Sequence, residues 1–192
     1  MERTLILVKP DGVKRGIVGD IIYRFEKAGL KIVGMKMVWV DKNLVDKHYP
    51  DSRTALLQGI GEKTIQSYKE NGKDPVKELG TDDPMKIGKM VNDWNKDYLS
   101  AGPVVAIVFE GHHSILNVRR IVGHTFPSMA NPGTIRGDYS LDNPVLANER
   151  KRPVRNIIHA SGNKAEADYE IDLWFSKGEL HSYPRADEDV MF

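Results

Sequence analysis

Few residues in this chain could do covalent chemistry, and His159 is the first of them. It lies in Arg155–Ser161 (RNIIHAS), between a short apolar run and a helix-start signal. Histidine side chains titrate near pH ~6.5, so many are uncharged at neutral pH and carry a ring nitrogen that can attack an electrophile. The chain has no cysteine, which removes the other strong side-chain nucleophile. Taken alone, however, a histidine placed at a strand end by chance is the better interpretation.

Three cationic side chains occur where they could meet an anion. Lys9 follows the first predicted strand, Arg119 lies on a predicted helix, and Arg136 lies within the irregular segment Asn131–Asp138 (NPGTIRGD). Each alone is typical of a solvated surface charge. Together, one ammonium and two planar guanidinium groups are what polyphosphate recognition needs. The sequence leaves open whether the three converge.

Glu170 is unusual because of its place on the last strongly patterned helix. At roughly 100° per residue it falls about 40° from Trp174, at the edge of the apolar stripe. A carboxylate there could reach the strand that carries His159 and hold its ring. A flanking glutamate that extends to water explains the pattern equally well.

Two other motifs suggest a phosphate-binding loop and a metal site, but the spacing of their residues does not fit either. Gly59–Thr64 (GIGEKT) suggests a phosphate-binding loop, but Glu62 interrupts the Gly-Lys-Thr core and no strand precedes it, so we expect a helix interruption. His112 and His113 are adjacent and therefore point in different directions, and no carboxylate follows four residues later. Neither motif predicts a site.

The hydrophobic pattern predicts the elements that must position these residues. The predicted strands are Thr4–Val8, Leu30–Val40, Val104–Phe109 and Asn156–His159. The predicted helices run from Val18 to a stop at Gly29, over Ser114–Val122, and over Asn163–Phe175 with Asn163 as cap and Glu166 completing a capping box. Lys9–Gly12 is predicted to be a turn. This order favours an α/β fold (an α+β sandwich) with a ferredoxin-like βαββαβ core, a four-stranded antiparallel sheet and flanking helices.

Length and composition indicate one domain, residues 1–192, with two insertions. Residues 54–98 have helical spacing broken by Gly-, Asp- and Pro-containing segments, which predicts a mainly helical insertion, and residues 141–155 are polar and predicted to face solvent. A net charge of +1 provides no field for non-specific attachment to DNA or membranes. The absence of cysteine, of a signal peptide and of any apolar run of about 20 residues predicts a cytoplasmic protein.

With these residues assembled, the chain resembles the nucleoside diphosphate kinases. The matching segments are Glu2–Thr4, Lys9–Val13, Arg15–Gly19, His48–Asp51, Gly102–Ala106, Gly123–Thr125, Asn131–Asp138 and Asn156–Ser161. They occur in family order and cover the chain except for residues 54–98 and 141–155.

The resemblance implies transfer of the terminal phosphate of a nucleoside triphosphate to a nucleoside diphosphate, which maintains (d)NTP pools. The family works by a ping-pong mechanism through a phosphohistidine, with Mg²⁺. By resemblance, His159 is phosphorylated on Nδ1 and Glu170 orients the ring from its other side. The residues that match the family's phosphate ligands are Lys9, Arg119, Thr125 and Arg136.

Four further roles follow from the same resemblance. Asn156 and Lys9 match residues that serve the nucleotide sugar hydroxyls, and Tyr49 matches the tyrosine beside the catalytic histidine. Ser161 matches the hydroxyl that bonds the glutamate, and Asp51 a carboxylate near the metal, usually through water. The family also predicts a homo-oligomer, for which we favour a hexamer over a tetramer.

The chain departs from the family pattern at two places. Gly162 stands where an aspartate usually follows the serine, so we expect a looser turn beyond His159. No base-stacking phenylalanine is identifiable, and Val91, Trp94 and Tyr98 are the candidates to replace it. We therefore expect the 54–98 insertion to reshape nucleotide entry and base contact without changing the chemistry.

Two functions of other classes stay open at this point. One is a non-catalytic nucleotide-binding protein, against which the complete set of candidate residues argues. The other is a single-stranded nucleic-acid binder, which the near-neutral charge and 8% aromatic content make secondary.

Overall fold

A four-stranded antiparallel sheet forms the centre of the molecule, as the sequence predicts. In the computed structural model, which describes residues 1–191, the strands are β1 (Glu2–Val8), β2 (Lys31–Trp39), β3 (Pro103–Gly111) and β4 (Ile158–Ala160). Their order across the sheet is β2-β3-β1-β4. The β1–β4 register pairs Leu7 with His159. The short strand β4, which carries His159, is therefore held by the buried strand β1.

Eleven α-helices surround the sheet within the described residues. They are α1 (Pro10–Lys14), α2 (Val18–Lys27), α3 (Lys42–His48), α4 (Thr54–Glu70), α5 (Pro75–Leu79), α6 (Pro84–Ser100), α7 (Ser114–Val122), α8 (Ile135–Tyr139), α9 (Pro144–Glu149), α10 (Lys164–Trp174) and α11 (Glu188–Met191). None of them is both long and apolar enough to cross a lipid bilayer.

The alternation of side chains along β1 divides the core into two layers. Ile6 and Val8 pack with α2 and α7, whereas Leu5 and Leu7 pack on the opposite face with α3, α6 and α10. All four β1 side chains are fully buried. The strand is therefore covered on both faces, which is why it appears in the sequence as a continuous apolar run.

The predicted strands and helices are confirmed to within two residues at each end, and the predicted turn needs correction. The predicted turn at Lys9–Gly12 is the start of α1, with Pro10 at its first position, where a missing N–H costs nothing. The fourth strand begins at Ile158 instead of Asn156. The last predicted helix is α10, with Asn163 outside it as the N-cap that accepts from the Glu166 N–H at 2.9 Å.

The GIGEKT motif lies inside α4, where one glycine permits a close helix crossing. A Cβ on Gly61 would lie 1.8 Å from the Pro84 carbonyl oxygen, and one on Gly88 of α6 would lie 1.9 Å from the Leu57 carbonyl oxygen. The backbones of α4 and α6 are thus in direct contact. Close helix packing, and not phosphate binding, accounts for the glycine at position 61.

The polar 141–155 segment is not simply solvent-facing, because it contains α9, which packs against α4. Ala147 and Asp142 are buried. The Tyr68 hydroxyl donates to the Asn148 carbonyl oxygen at 2.7 Å, and Lys73 pairs with Glu149 at 2.9 Å. The two segments predicted as insertions therefore contact each other, a pairing that their composition does not reveal.

Candidate functional site

The backbone just before His159 makes a strained turn. Ile157 has φ +70°, although β-branched residues rarely adopt positive φ, and the Ile158 N–H bonds the Asn156 carbonyl at 2.7 Å across it. The Lys9 N–H holds the Ile157 carbonyl at 2.7 Å, and the Arg136 guanidinium holds the carbonyls of Asn156 and Ile158 at 3.3 and 2.6 Å. These bonds maintain a conformation that would be unfavourable in isolation.

His159 is held by the buried Glu170 carboxylate. Its Nε2 lies 2.9 Å from both carboxylate oxygens, and the Ser161 hydroxyl donates to Glu170 Oε2 at 2.6 Å. Burial alone would raise the pKa of Glu170, but the His159 imidazole and the hydrogen bonds from His159 and Ser161 hold it at about 2. An ionised carboxylate requires Nε2 to carry a proton, so in the neutral form of the ring the lone pair is on Nδ1. Within residues 1–191 no group bonds Nδ1.

A second histidine supports this pair from behind. His48 is buried, and its Nδ1 accepts from the Trp174 indole N–H at 3.3 Å. Burial, followed by the neighbouring His159, lowers the pKa of His48 to about 3, so it is uncharged. His48, His159 and Glu170 also form the one close group of potential metal ligands in the described chain. His159 Nε2 and Glu170 already bond each other, and the Trp174 N–H occupies His48 Nδ1, so this group fits a hydrogen-bonded support and not a metal centre.

The three candidate cations do converge, on one cleft of about 210 Å³ that also contains His159. The lining residues are Lys9, Tyr49, Asn95, Arg119, Val122, Gly123, Thr125, Arg136, Asn156, His159 and Ala160. Within the described chain, no carboxylate lines it. The cleft is therefore suited to an anion beside the His159 imidazole.

Two of these cations are buried, and burial changes how they titrate. Burial and then the Arg136 charge lower the pKa of Lys9 to about 7, and burial and Arg119 lower the pKa of Arg136 to about 10. Lys9 Nζ donates to Asn156 Oδ1 at 2.8 Å, and the Asn156 amide donates to the Thr125 carbonyl at 3.0 Å. A bound phosphate would compensate the repulsion between these cations.

Asp51, which the resemblance places near the metal, lies outside the lining of this cleft. Its Oδ1 accepts from Asn92 at 2.9 Å and from Lys96 at 2.8 Å, and it lines a neighbouring cleft beside α6. Its role near the metal, which the resemblance gives as usually through water, stays a prediction.

Helix α6 contributes one cleft residue that sequence reasoning missed, Asn95. Of the three candidates for base stacking, Val91 and Trp94 are half-buried and do not line the cleft. The Tyr98 ring lies against Lys9, with Nζ 5.0 Å from its centroid. Asn95 lies about one helical turn before Tyr98 on α6, and this spacing was the available signal.

The turn after His159 is not loose, despite the missing aspartate. Glu166 Oε2 accepts from the Gly162 N–H at 2.8 Å, and its Oε1 lies 3.7 Å from Arg53. A Cβ on Gly162 would lie 2.6 Å from Glu166 Oε2. Glu166 thus bonds the residue before the N-cap instead of closing the capping box, and glycine makes room for it.

Comparison with known proteins agrees with this geometry. The family model described as nucleoside diphosphate kinase matches residues 2–57 and 86–180, which leaves out most of α4 and all of α5 but includes α9. A nucleoside diphosphate kinase from Pyrobaculum aerophilum is 46% identical over 180 residues, covering 94% of this chain and 98% of the relative.

Solved structures give the same result. An NDP kinase from Pyrobaculum aerophilum superposes with a TM-score of 0.91 at 45% identity, covering 94% of this chain and 99% of that one. A nucleoside-diphosphate kinase from Borrelia burgdorferi, solved as a transition-state mimic with vanadate and ADP, has a TM-score of 0.77 at 38% identity, covering 97% and 94%. The chain therefore belongs to the nucleoside diphosphate kinase family.

Proposed function

We propose that this kinase works by a ping-pong mechanism through a phosphohistidine on Nδ1 of His159. The observation that carries the proposal is the pairing of Nε2 with the ionised Glu170 at 2.9 Å, which leaves Nδ1 as the nucleophilic atom in the cleft. That the Borrelia burgdorferi relative holds vanadate and ADP in a transition-state mimic supports in-line phosphoryl transfer in such a site.

In the first half-reaction, the Nδ1 lone pair attacks the terminal phosphorus of a nucleoside triphosphate. The bond between that phosphorus and the bridging oxygen breaks, and the nucleoside diphosphate leaves with the bonding electrons. The ring becomes positively charged as the P–N bond forms, and Glu170 stabilises it through Nε2–H. In the second half-reaction, a terminal oxygen of another nucleoside diphosphate attacks the phosphorus. The P–N bond breaks and its electron pair returns to Nδ1, which restores His159 and releases a nucleoside triphosphate.

The cleft cations neutralise the transferred phosphoryl group and its neighbours in both directions. Arg119, Thr125 and Arg136 are assigned to phosphate oxygens. The Nη atoms of Arg136 each keep one N–H after bonding the Gly123 and Ile158 carbonyls. Lys9 and Asn156, which bond each other here, are assigned to the sugar hydroxyls and to phosphate.

Tyr49 and Ser161 have supporting roles in this proposal. Tyr49 forms part of the cleft wall, where burial and Glu170 raise the pKa of its hydroxyl and keep it protonated. Ser161 lies behind the ring and fixes the Glu170 carboxylate at 2.6 Å.

We propose that Mg²⁺ enters as part of the nucleotide substrate. The described cleft residues offer cations and amides but no carboxylate, so the phosphate oxygens themselves would hold the metal. The protein's task is then to bind and orient the Mg²⁺–nucleotide through the cations already described.

A homo-oligomer, with a hexamer favoured over a tetramer, completes the proposal. Alternate side chains of the edge strand β2 form an exposed apolar stripe, with Met35 55%, Met37 62% and Trp39 70% accessible. Such a stripe on an edge strand is typical of an interface between protein chains. The cysteine-free sequence supports the cytoplasm as the place of action.

The direct test is incubation with γ-labelled ATP followed by isolation of the protein. We expect an acid-labile, base-stable phosphoenzyme that His159→Ala cannot form and that added nucleoside diphosphate discharges. His181→Ala, which removes an exposed imidazole away from the cleft, is the matched control and should label normally. Folded wild-type protein that does not label would instead support a nucleotide- or nucleic-acid-binding role.

A further inference from the structure

We propose that Asn92 and Lys96 of helix α6 are positioning residues for phosphoryl transfer, acting through residues 49–53, here called the 49–53 turn. Neither side chain lines the cleft that contains His159. Both instead bond the turn that carries Tyr49 into the cleft wall. The inference rests on the proposed phosphohistidine mechanism and adds to it a requirement located outside the cleft.

Asn92 attaches the turn to α6 at two points with one planar amide. Its Nδ2 donates to the Tyr49 carbonyl at 3.1 Å and to Asp51 Oδ1 at 2.9 Å. Asn92 is buried, so these bonds are protected from exchange with water. Tyr49 ends α3 with a non-helical backbone, φ −117° and ψ 65°. The position of its ring therefore depends on what holds this carbonyl.

Lys96, one helical turn further along α6, provides the charge that holds the carboxylates of this region. Its Nζ lies 2.8 Å from Asp51, 3.2 Å from Asp46 and 3.8 Å from Asp93. Asp46 belongs to α3 and Asp51 to the turn. One largely buried ammonium therefore joins α3, the turn and α6, and removing it would leave the carboxylates to repel one another.

The other end of the turn reaches the loop that follows His159. Arg53 pairs with Glu166, which in turn accepts from the Gly162 N–H. Tyr49 also contacts His48, with ring centroids 4.6 Å apart, and His48 contacts His159 at 4.7 Å. A shift of the turn would move groups on both sides of the reacting imidazole. Misplacement of about 1 Å can cost ~100-fold in rate.

The experiment measures the single-turnover rate of His159 phosphorylation at saturating ATP. We expect Asn92→Leu and Lys96→Met each to slow this step by roughly tenfold, with the thermal midpoint recorded for each variant. Lys96→Arg, which keeps the charge and the donors, should recover most of the rate. Lys86→Met is the matched control, because Lys86 is an exposed lysine of the same helix, and it should phosphorylate at the wild-type rate.

Phosphoenzyme stoichiometry gives the active fraction, so loss of folded protein is separated from a slower step. If Asn92→Leu does not fold, the comparison of Lys96→Met with Lys96→Arg tests the positioning role. Rates within roughly twofold of wild type, or changes confined to the apparent ATP affinity, would overturn the positioning role. Wild-type protein that never labels would overturn the proposed mechanism itself, and the two failures are thereby distinct.

Discussion

The cleft around His159 and the layer formed by α4 and α9 use polar groups in opposite ways. In the cleft, Lys9 and Arg136 are buried and Ile157 has a positive φ. In the α4–α9 layer, the Tyr68 hydroxyl donates to a carbonyl oxygen, and the half-buried Lys73 pairs with a glutamate. The first arrangement costs stability in the absence of substrate, whereas the second only adds to it. We therefore expect substitutions in the cleft to lower activity without a matching loss of stability. Substitutions in the α4–α9 layer should lower stability alone.

The largest expected effect is that of Lys9→Met. Losing a buried cation that faces the phosphates should slow phosphoenzyme formation by roughly 100- to 1,000-fold. Because the pKa of Lys9 is lowered to about 7 in the folded protein, the unfolded chain binds more protons between that pH and about 10.4. Wild-type stability should rise with pH across this window.

Lys9→Met should therefore be more thermostable than wild type below pH 7, with the gain shrinking as pH rises. Thermal denaturation at pH 6 and pH 9 measures it. If the stability difference between Lys9→Met and wild type did not depend on pH, burial of the charged Lys9 would not destabilise the folded protein. The contrast between the cleft and the α4–α9 layer would then lose its main support.

Glu170→Gln should have the next largest effect. A glutamine is uncharged, so it cannot form the charge-assisted hydrogen bond to the Nε2 proton of His159, and its NH2 group replaces one of the two carboxylate oxygens that accept this proton. Hydrogen bonds to a charged group contribute about 1.5–3 kcal/mol, so the phosphorylation rate should fall roughly 10- to 100-fold.

The pH dependence of Glu170 has the opposite sign to that of Lys9. Its pKa is lowered to about 2, so its contribution to wild-type stability is present above pH ~4.3 and is lost as pH falls toward 2. Glu170→Gln should lack that loss in acid unfolding. Acid titrations of the two proteins that coincide would contradict the assignment.

The sequence was enough to predict elements whose apolar residues repeat regularly. It was not enough to predict which distant side chains meet in the cleft. Helix α7 has the predicted bounds Ser114–Val122 because its apolar spacing is regular. The meeting of Lys9, Arg136 and His159 depends on the strained Ile157 and on the β1–β4 register, which no local pattern encodes. Such non-local geometry requires the fold.

Two segments have contacts that their sequences do not indicate. Asp51 matches a metal-site carboxylate by sequence, and in the structure Lys96, forty-five positions later, bonds it at 2.8 Å. Polar composition made 141–155 look solvent-facing, whereas Tyr68 provides a docking partner for α9. In both segments, the decisive partner lies on α4 or α6, where the sequence offered only helical spacing.

The α4–α6 crossing allows a test within one helix. Gly61→Ala forces a Cβ against the Pro84 carbonyl, and overpacking of this kind costs about 1–3 kcal/mol or more. Gly59→Ala on the same helix meets nothing within 4 Å and should stabilise by about 0.5–1 kcal/mol. Urea unfolding of both variants measures the difference. Equal shifts would mean that the helix backbones are not in contact.

The smallest effect should come from Tyr68→Phe. The Tyr68 hydroxyl donates to the Asn148 carbonyl at 2.7 Å and connects α4 to α9. Its loss should lower the free energy of unfolding by about 1 kcal/mol, while the phosphorylation rate of the folded protein stays at the wild-type value. A clear fall in that rate would show that α9 acts on the cleft through the chain leading to Asn156, and the division between a costly cleft and a purely stabilising layer would then fail.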